Sequence, residues 1–239
     1  LHRFDCPAKP VVYHDAAYWL PLLLYYTHAT VNEIAGLRVD EISIDAPTPF
    51  LTIQDNNIRG TDEEHAGEKN ENRGRDLPLH PEILRLGFGA YLSAIKAEGH
   101  EALFPELYAN DAKVGGSQFY NVAWRHMVDW MRQRTTIPQN EKTGKIADMH
   151  SIRSLGASHY AVDGVLDLMR ADIMGHSREG TNALHYSKRE ETEGQETVMR
   201  EYLAFMVKYT PIVTENLRAA PCRLMPLNHR SRTGRPKPA

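Results

Sequence analysis

The sequence predicts a mainly α-helical domain with a small antiparallel β-sheet, an α+β fold. Most apolar residues recur at helical spacing, and only two short segments near the first third of the chain have the character of strands. Of the 239 residues, 41% are hydrophobic and 25% are charged, which is ordinary for a globular chain with a buried core. This length allows one large domain or two small ones.

The first third of the chain is predicted to hold two helices followed by two strands. Asp15 is placed to cap the first helix, and Gly36 ends a second, shorter one. We expect strands within residues 49–55 and 75–81, with a polar hairpin or loop between them. Residues 1–14 contain two prolines and no clear periodicity, so we expect a linker that follows an upstream domain.

The remainder of the chain is predicted to be helical. One long helix is expected from Pro81 to Gly99, and Ser117 is placed as the cap of the next helix. Two more helices follow, separated by an Asp-Gly pair, and the second of them ends at Gly175.

The C-terminal part is predicted to be an amphipathic helix at residues 197–209 and a basic tail. The apolar stripe of this helix consists of Val198, Tyr202, Phe205 and Met206. This stripe packs either on its own domain or on a neighbouring protomer. We place the main domain at residues 15–209 and the tail at 210–239, which is either a solvated terminus or an arm that contacts phosphates.

Composition indicates a cytoplasmic protein without membrane contact. No apolar run is long enough to cross a bilayer, and the longest run near the start is interrupted by Pro21. The N-terminal residues lack the pattern of a secretory signal. Cys6 and Cys222 lie far apart, so we expect neither a disulfide framework nor a zinc site. The net charge of −3 does not by itself support nucleic-acid binding.

Histidine, arginine and tyrosine residues form an ordered series in the last half of the chain. His150 and Arg153 are three residues apart, so on a helix both side chains address one anion. His176 follows Gly175, and Tyr186 comes ten residues later. Taken singly, each residue has an ordinary explanation, because such histidines are usually caps or surface residues and such tyrosines usually pack in cores.

The order of these motifs resembles that of the tyrosine recombinase (phage integrase) family. The resemblance covers residues 15–190 and rests on "YTHATVNEIAGLRVDEI", "RGRDLPLHPEI", "HSIRS" and "MGHS…HY". It implies the catalytic-domain fold of that family and site-specific DNA recombination or integration through a 3′-phosphotyrosyl intermediate. It also implies double-stranded DNA as partner, self-association on DNA through the C-terminal helix, an upstream DNA-binding domain, and no metal or small-molecule cofactor.

The resemblance assigns a role to each matching residue. Tyr186 matches the nucleophile that attacks phosphorus, and Lys69 matches the hairpin lysine that protonates the leaving 5′-oxygen. Arg153 matches a guanidinium that stabilises the charge on the phosphoryl oxygens. His150 is expected to manage the tyrosine proton or the phosphate, and His176 to donate a hydrogen bond to an oxygen.

The chain departs from the family pattern at the first arginine. Thr30 stands at that position, His28 stands where a glycine is usual, and Glu33 matches a structural acidic residue. Losing one preorganised donor at such a site costs about 10²–10³ in rate. Three alternatives follow: a weakened or inactive recombinase that still binds DNA, an arginine supplied by a partner, or another arginine of this chain. The candidates near in sequence are Arg38, Arg59 and Arg73.

Two other classes of function compete with this interpretation. A DNA-binding relic of a recombinase would bind DNA in a salt-sensitive manner without forming a covalent species. Twelve histidines also invite a metal-dependent hydrolase, although the sequence has no HExxH motif and no His/Asp cluster at ligand spacing.

Overall fold

The computed structural model describes residues 12–58, 74–108, 115–137, 139, 141–144, 146–161, 167–175 and 193–224. In these ranges, nine α-helices accompany a three-stranded antiparallel sheet, which confirms the predicted α+β class. The helices are α1 (Ala16–Thr27), α2 (Val31–Ala35), α3 (Pro81–Arg85), α4 (Phe88–Ala97), α5 (Gly115–Phe119), α6 (Arg125–Arg132), α7 (Met149–Tyr160), α8 (Asp167–Met174) and α9 (Gln195–Tyr209). The strands are β1 (Ile42–Ser43), β2 (Phe50–Ile53) and β3 (Arg75–Pro78), in the order β1-β2-β3.

Helix α1 lies at the centre of the core. The Asp15 side chain caps it as predicted, accepting a hydrogen bond from the Tyr18 amide at 3.2 Å. Trp19 is fully buried, and its ring lies 5.1 Å from that of Phe88 on α4. The helix is apolar on most sides because α2, α3 and α7 all pack around it.

The sheet places Arg75 at the start of its third strand. Arg75 pairs with Ile53, and Leu77 pairs with Leu51, so the apolar side chains of both strands enter the core. The polar segment predicted between these strands lies mostly outside the described residues. Arg75 is the first residue of β3, and its side chain is buried.

Two predictions about helix boundaries are wrong. The long helix expected from Pro81 to Gly99 is divided into α3 and α4, because Gly87 adopts φ +95° and interrupts the helix between them. Ser117 lies inside α5 rather than capping it. A Cβ on Gly116 would lie 2.0 Å from the Asn32 side-chain oxygen, so this helix is located by close packing on α2 rather than by a capping side chain.

Helix α9 packs on β3 of its own chain. The stripe formed by Val198, Tyr202, Phe205 and Met206 is buried, and the ring of Phe205 lies 4.8 Å from that of Tyr160 on α7. Of the two alternatives for this stripe, the structure has the one in which it packs on its own domain.

After α9 the chain crosses α1 and α3. The Thr214 hydroxyl lies 2.6 Å from the Tyr26 hydroxyl and 2.7 Å from a Glu82 carboxylate oxygen. The amide of His14 donates to the carbonyl of Arg223 at 2.9 Å, so the two ends of the described chain lie side by side. Among the helices described, none combines the length and the apolar character that a membrane crossing requires.

Candidate functional site

The C-terminal end of α8 is bound by two arginines from distant parts of the sequence. Arg75 Nε donates to the carbonyl of Ile173 at 3.1 Å, and Arg153 Nη2 donates to the carbonyl of Met174. The last carbonyls of a helix have no partner within it, and the helix dipole makes that end negative. Two guanidinium groups therefore satisfy both the hydrogen bonding and the charge of this end.

Arg75 also forms a buried ion pair with Glu33 of α2. Nη1 lies 2.9 Å from Oε1 and Nη2 lies 3.1 Å from Oε2, a forked arrangement, and both residues are 4% exposed. Burial alone raises the pKa of Glu33. The charge and hydrogen bonds of Arg75, the Thr30 amide and the charge of Arg153 outweigh burial and lower this pKa to about 2. Glu33 is consequently ionised, and its negative charge compensates that of the buried Arg75 guanidinium.

Thr30 has a structural task at the start of α2. Its hydroxyl accepts from the Glu33 amide at 3.3 Å, and its own amide donates to Glu33 Oε2 at 2.7 Å. This reciprocal arrangement is a capping box, and such caps contribute about 1 kcal/mol. Thr30 thus stabilises the scaffold of the site by capping α2.

Arg153 joins the end of α1 to the end of α8. Its Nη1 donates to the carbonyl of His28 at 2.9 Å, while Nη2 binds the carbonyl of Met174, and the residue is half-buried. His28 adopts the left-handed conformation with φ 54°, which is unusual for a residue with a side chain. A partly exposed guanidinium held from two sides is a rigid group of the kind that binds phosphoryl oxygens.

The ring of His28 is enclosed by the core. Its Nε2 lies 3.3 Å from the Thr210 hydroxyl, and its ring meets that of Tyr160 edge-on at 4.8 Å. A Cβ on Gly156 would lie 2.2 Å from His28 Cγ, so the ring occupies space that only a glycine leaves. Burial, followed by the neighbouring charges of His159, Arg153 and His80, lowers the pKa of His28 to about 3. The ring is therefore neutral at physiological pH.

The remaining predicted site residues are placed as follows. His150 is exposed in the first turn of α7, one turn before Arg153. Lys69, His176 and Tyr186 lie outside the described residues.

The arginines considered as substitutes for the missing one have different positions. Arg59 and Arg73 also lie outside the described residues. Arg38 contacts Asp40 and Glu101, at 2.9 and 3.4 Å, and also Asn57. Among the residues that the structure describes, Arg75 lies beside Arg153, because the two bind adjacent carbonyls at the end of α8.

Two features of this site escaped the sequence analysis. The capping box could have been predicted, because Thr30 and Glu33 have the T-x-x-E spacing of that motif. The ion pair was not, because Arg75 and Glu33 are 42 residues apart and no local pattern joins them. Within the described ranges, no three side chains of His, Cys, Asp or Glu gather as metal ligands. No protein-family model, curated protein or solved structure matches the chain.

Proposed function

We propose that this chain is the catalytic domain of a tyrosine-type site-specific DNA recombinase. In this reaction the phenol oxygen of Tyr186 forms a bond to a DNA phosphorus, and the bond from phosphorus to the 5′-oxygen breaks. The phenol gives its proton to His150 or to water, and the leaving 5′-oxygen gains one from Lys69. Rejoining is the reverse attack by a 5′-hydroxyl, and it needs no nucleotide because the phosphotyrosyl bond retains the free energy.

One observation supports this proposal above the others. Segments that are distant in sequence meet at one point: the α1–α2 junction at residues 28–33, the start of β3, the middle of α7 and the end of α8. These are the segments that carry the motifs resembling the recombinase family. The chain passes from Gly175, beside Arg75, directly into His176.

The charge at this point suits a phosphate. Arg153 is half-buried and fixed by two carbonyls, so little reorganisation is needed when it meets an anionic oxygen. His150 is exposed one helical turn away on α7, within the spacing that lets both side chains address one group.

A second candidate function is DNA binding without cleavage. The observation that favours it is the arrangement at the first-arginine position, where Thr30 caps α2 and the nearby Arg75 is neutralised by Glu33. A site with fewer effective cations stabilises the pentacovalent transition state less than a complete one. This candidate predicts an affinity for duplex DNA that falls with salt and no covalent product.

Trapping the covalent intermediate tests the proposed function. Purified protein is mixed with a pool of duplexes that carry a nick next to a randomised target, so that the released fragment diffuses away. We expect an adduct that survives denaturing electrophoresis, that Tyr186→Phe abolishes and that the control Tyr209→Phe retains. Tyr209 is on α9, where its ring packs 4.9 Å from that of Phe205. An adduct that persists in Tyr186→Phe contradicts the proposed nucleophile.

The variant Thr30→Arg distinguishes the two candidates. It removes the cap of α2, so we expect a loss of about 1 kcal/mol in the free energy of unfolding. In a weakened recombinase the new guanidinium increases adduct formation by about 10²–10³. Salt-sensitive DNA binding, with no adduct from either the original protein or this variant, would favour the DNA-binding relic.

A further inference from the structure

The turn that ends α8 is fitted against the Arg75 guanidinium. Gly175 adopts φ +61°, and a Cβ at this residue would lie 2.5 Å from Arg75 Nη1. Its amide donates to the carbonyl of Asp172 at 3.2 Å, which closes the last turn. Glycine is required here both for the left-handed conformation and for the close approach of the guanidinium.

Within the described residues, Arg75 contacts both Glu33 and the end of α8, and these contacts fix its orientation. Two nitrogens bind Glu33, and Nε binds the carbonyl of Ile173. Because the guanidinium is planar, the fork on Glu33 determines the direction in which Nε points. The position of α8 is thereby coupled to that of α2 through one rigid group.

The adjacent carbonyl, that of Met174, is bound by Arg153. The end of α8 is therefore located between a buried arginine from β3 and a half-buried arginine from α7. A shift of Arg75 would therefore move the Ile173 carbonyl relative to the contact that Arg153 makes with Met174.

We propose that Arg75 is the positioning residue of the candidate site: it holds residues 173–175 at a fixed place beside Arg153 and does not itself bind DNA. This inference rests on the proposed function, in which the segment after Gly175 carries a reacting group. Arg75 is 4% exposed, and its charge is compensated by that of Glu33, so it contributes little to the surface that would meet DNA.

The variant Arg75→Lys tests this role because it keeps the charge and removes the fork. A lysine ammonium is a single point and does not bind both Glu33 oxygens and the carbonyl of Ile173 in the same geometry. Arg85→Lys is a matched control. Arg85 also forks onto a glutamate, Glu82, at 2.8 and 2.6 Å and donates to the carbonyls of Thr214 and Leu217, but it is an exposed residue.

Three measurements on the full chain are compared for both variants: affinity for duplex DNA, single-turnover adduct formation at saturating nicked duplex, and hydrogen exchange of residues 167–175 without DNA. For Arg75→Lys we expect unchanged affinity, adduct formation slower by about 10- to 100-fold, and faster exchange. For Arg85→Lys we expect all three to match the original protein. The split between affinity and rate distinguishes positioning from a general loss of folded protein.

The outcomes separate this inference from the proposed function. Adduct formation at the original rate in Arg75→Lys, or a DNA affinity weakened more than about threefold, overturns the positioning role. If the original protein forms no adduct, the proposed function fails, and hydrogen exchange alone decides whether Arg75 holds the end of α8. If Arg75→Lys does not fold, Gly175→Ala is measured in its place. The alanine Cβ would lie 2.5 Å from Arg75 Nη1 and would therefore displace the guanidinium. The same slow adduct formation at unchanged affinity is then expected, and an unchanged rate refutes the role.

Discussion

Replacing Glu33 with glutamine removes the negative partner of a buried guanidinium. The pKa of Glu33 is lowered from an ordinary value of 4.5 to about 2, and each unit corresponds to about 1.4 kcal/mol. The ionised carboxylate therefore contributes about 3 kcal/mol to folding at neutral pH. Breaking a buried ion pair by removing one partner costs about 3–5 kcal/mol, which agrees with this value. We expect Glu33→Gln to lower the free energy of unfolding by about 3–4 kcal/mol.

The lowered pKa of Glu33 also determines how its contribution to the free energy of unfolding changes with pH. The pKa of Glu33 is lower in the folded than in the unfolded state, so the unfolded chain takes up the proton first as pH falls. The contribution is complete above about pH 4.5 and is lost as pH falls toward 2. Urea denaturation of both proteins between pH 7 and pH 3 should therefore show a difference in unfolding free energy that narrows at low pH.

A surface ion pair provides the control for this measurement. Asp129 and Arg132 lie 3.4 Å apart and their side chains are 64% and 56% exposed, so Asp129→Asn should change stability by less than about 0.5 kcal/mol. If Glu33→Gln unfolds with the same free energy as the original protein at pH 7, the ion pair does not hold the two elements as described. The same conclusion follows if the difference stays constant down to pH 3.

Three further predictions concern histidines and the glycine beside one of them. The pKa of His28, lowered to about 3 by burial and then by nearby charges, means that folding stability falls as pH drops from 6.5 toward 3, and His28→Gly should remove that part of the slope in urea denaturation. Gly156→Ala should lower the melting temperature because its methyl would lie 2.2 Å from the imidazole; adding His28→Gly should recover most of the loss, and simple additivity would contradict the contact. His150→Ala should leave the melting temperature within about 2 °C and reduce adduct formation by about 10²–10⁴. The control His100→Ala should change neither the melting temperature nor adduct formation.

Local patterns were sufficient to predict the elements that local chemistry determines. Asp15 caps α1, and the end of α8 falls at Gly175, as predicted, because caps and left-handed glycines act within one helical turn. The break at Gly87 was missed because the flanking segments share one helical periodicity, and only the backbone conformation of the glycine separates them. Boundaries of this kind depend on how each half packs, which periodicity does not report.

The interior of the candidate site could not be predicted in the same way. Arg153 binds the carbonyl of a residue 125 positions earlier, and Arg75 binds one that is 98 positions later. The sequence does not show whether an arginine is buried. The resemblance therefore directed attention to Thr30, while the buried Arg75 was not considered as a residue of the site. The distinction between the two arginines is a matter of burial and partners, which only the fold establishes.

The presence of Glu33, Arg75 and Arg153 does not by itself imply catalysis. Glu33 and Arg75 form a buried ion pair, and both arginines bind the end of α8, so removing any of the three destabilises the fold whether or not DNA is ever cut. His150 is different, because it is exposed in the first turn of α7, and substitutions at such sites usually change stability by less than about 0.5 kcal/mol. A change at His150 that alters adduct formation therefore reports chemistry, while a rate measured alone on a variant of Arg75 or Arg153 reports a mixture of folding and chemistry. The exposed histidine, more than the arginine cluster, is therefore the position where a substitution separates an effect on DNA cleavage from an effect on folding.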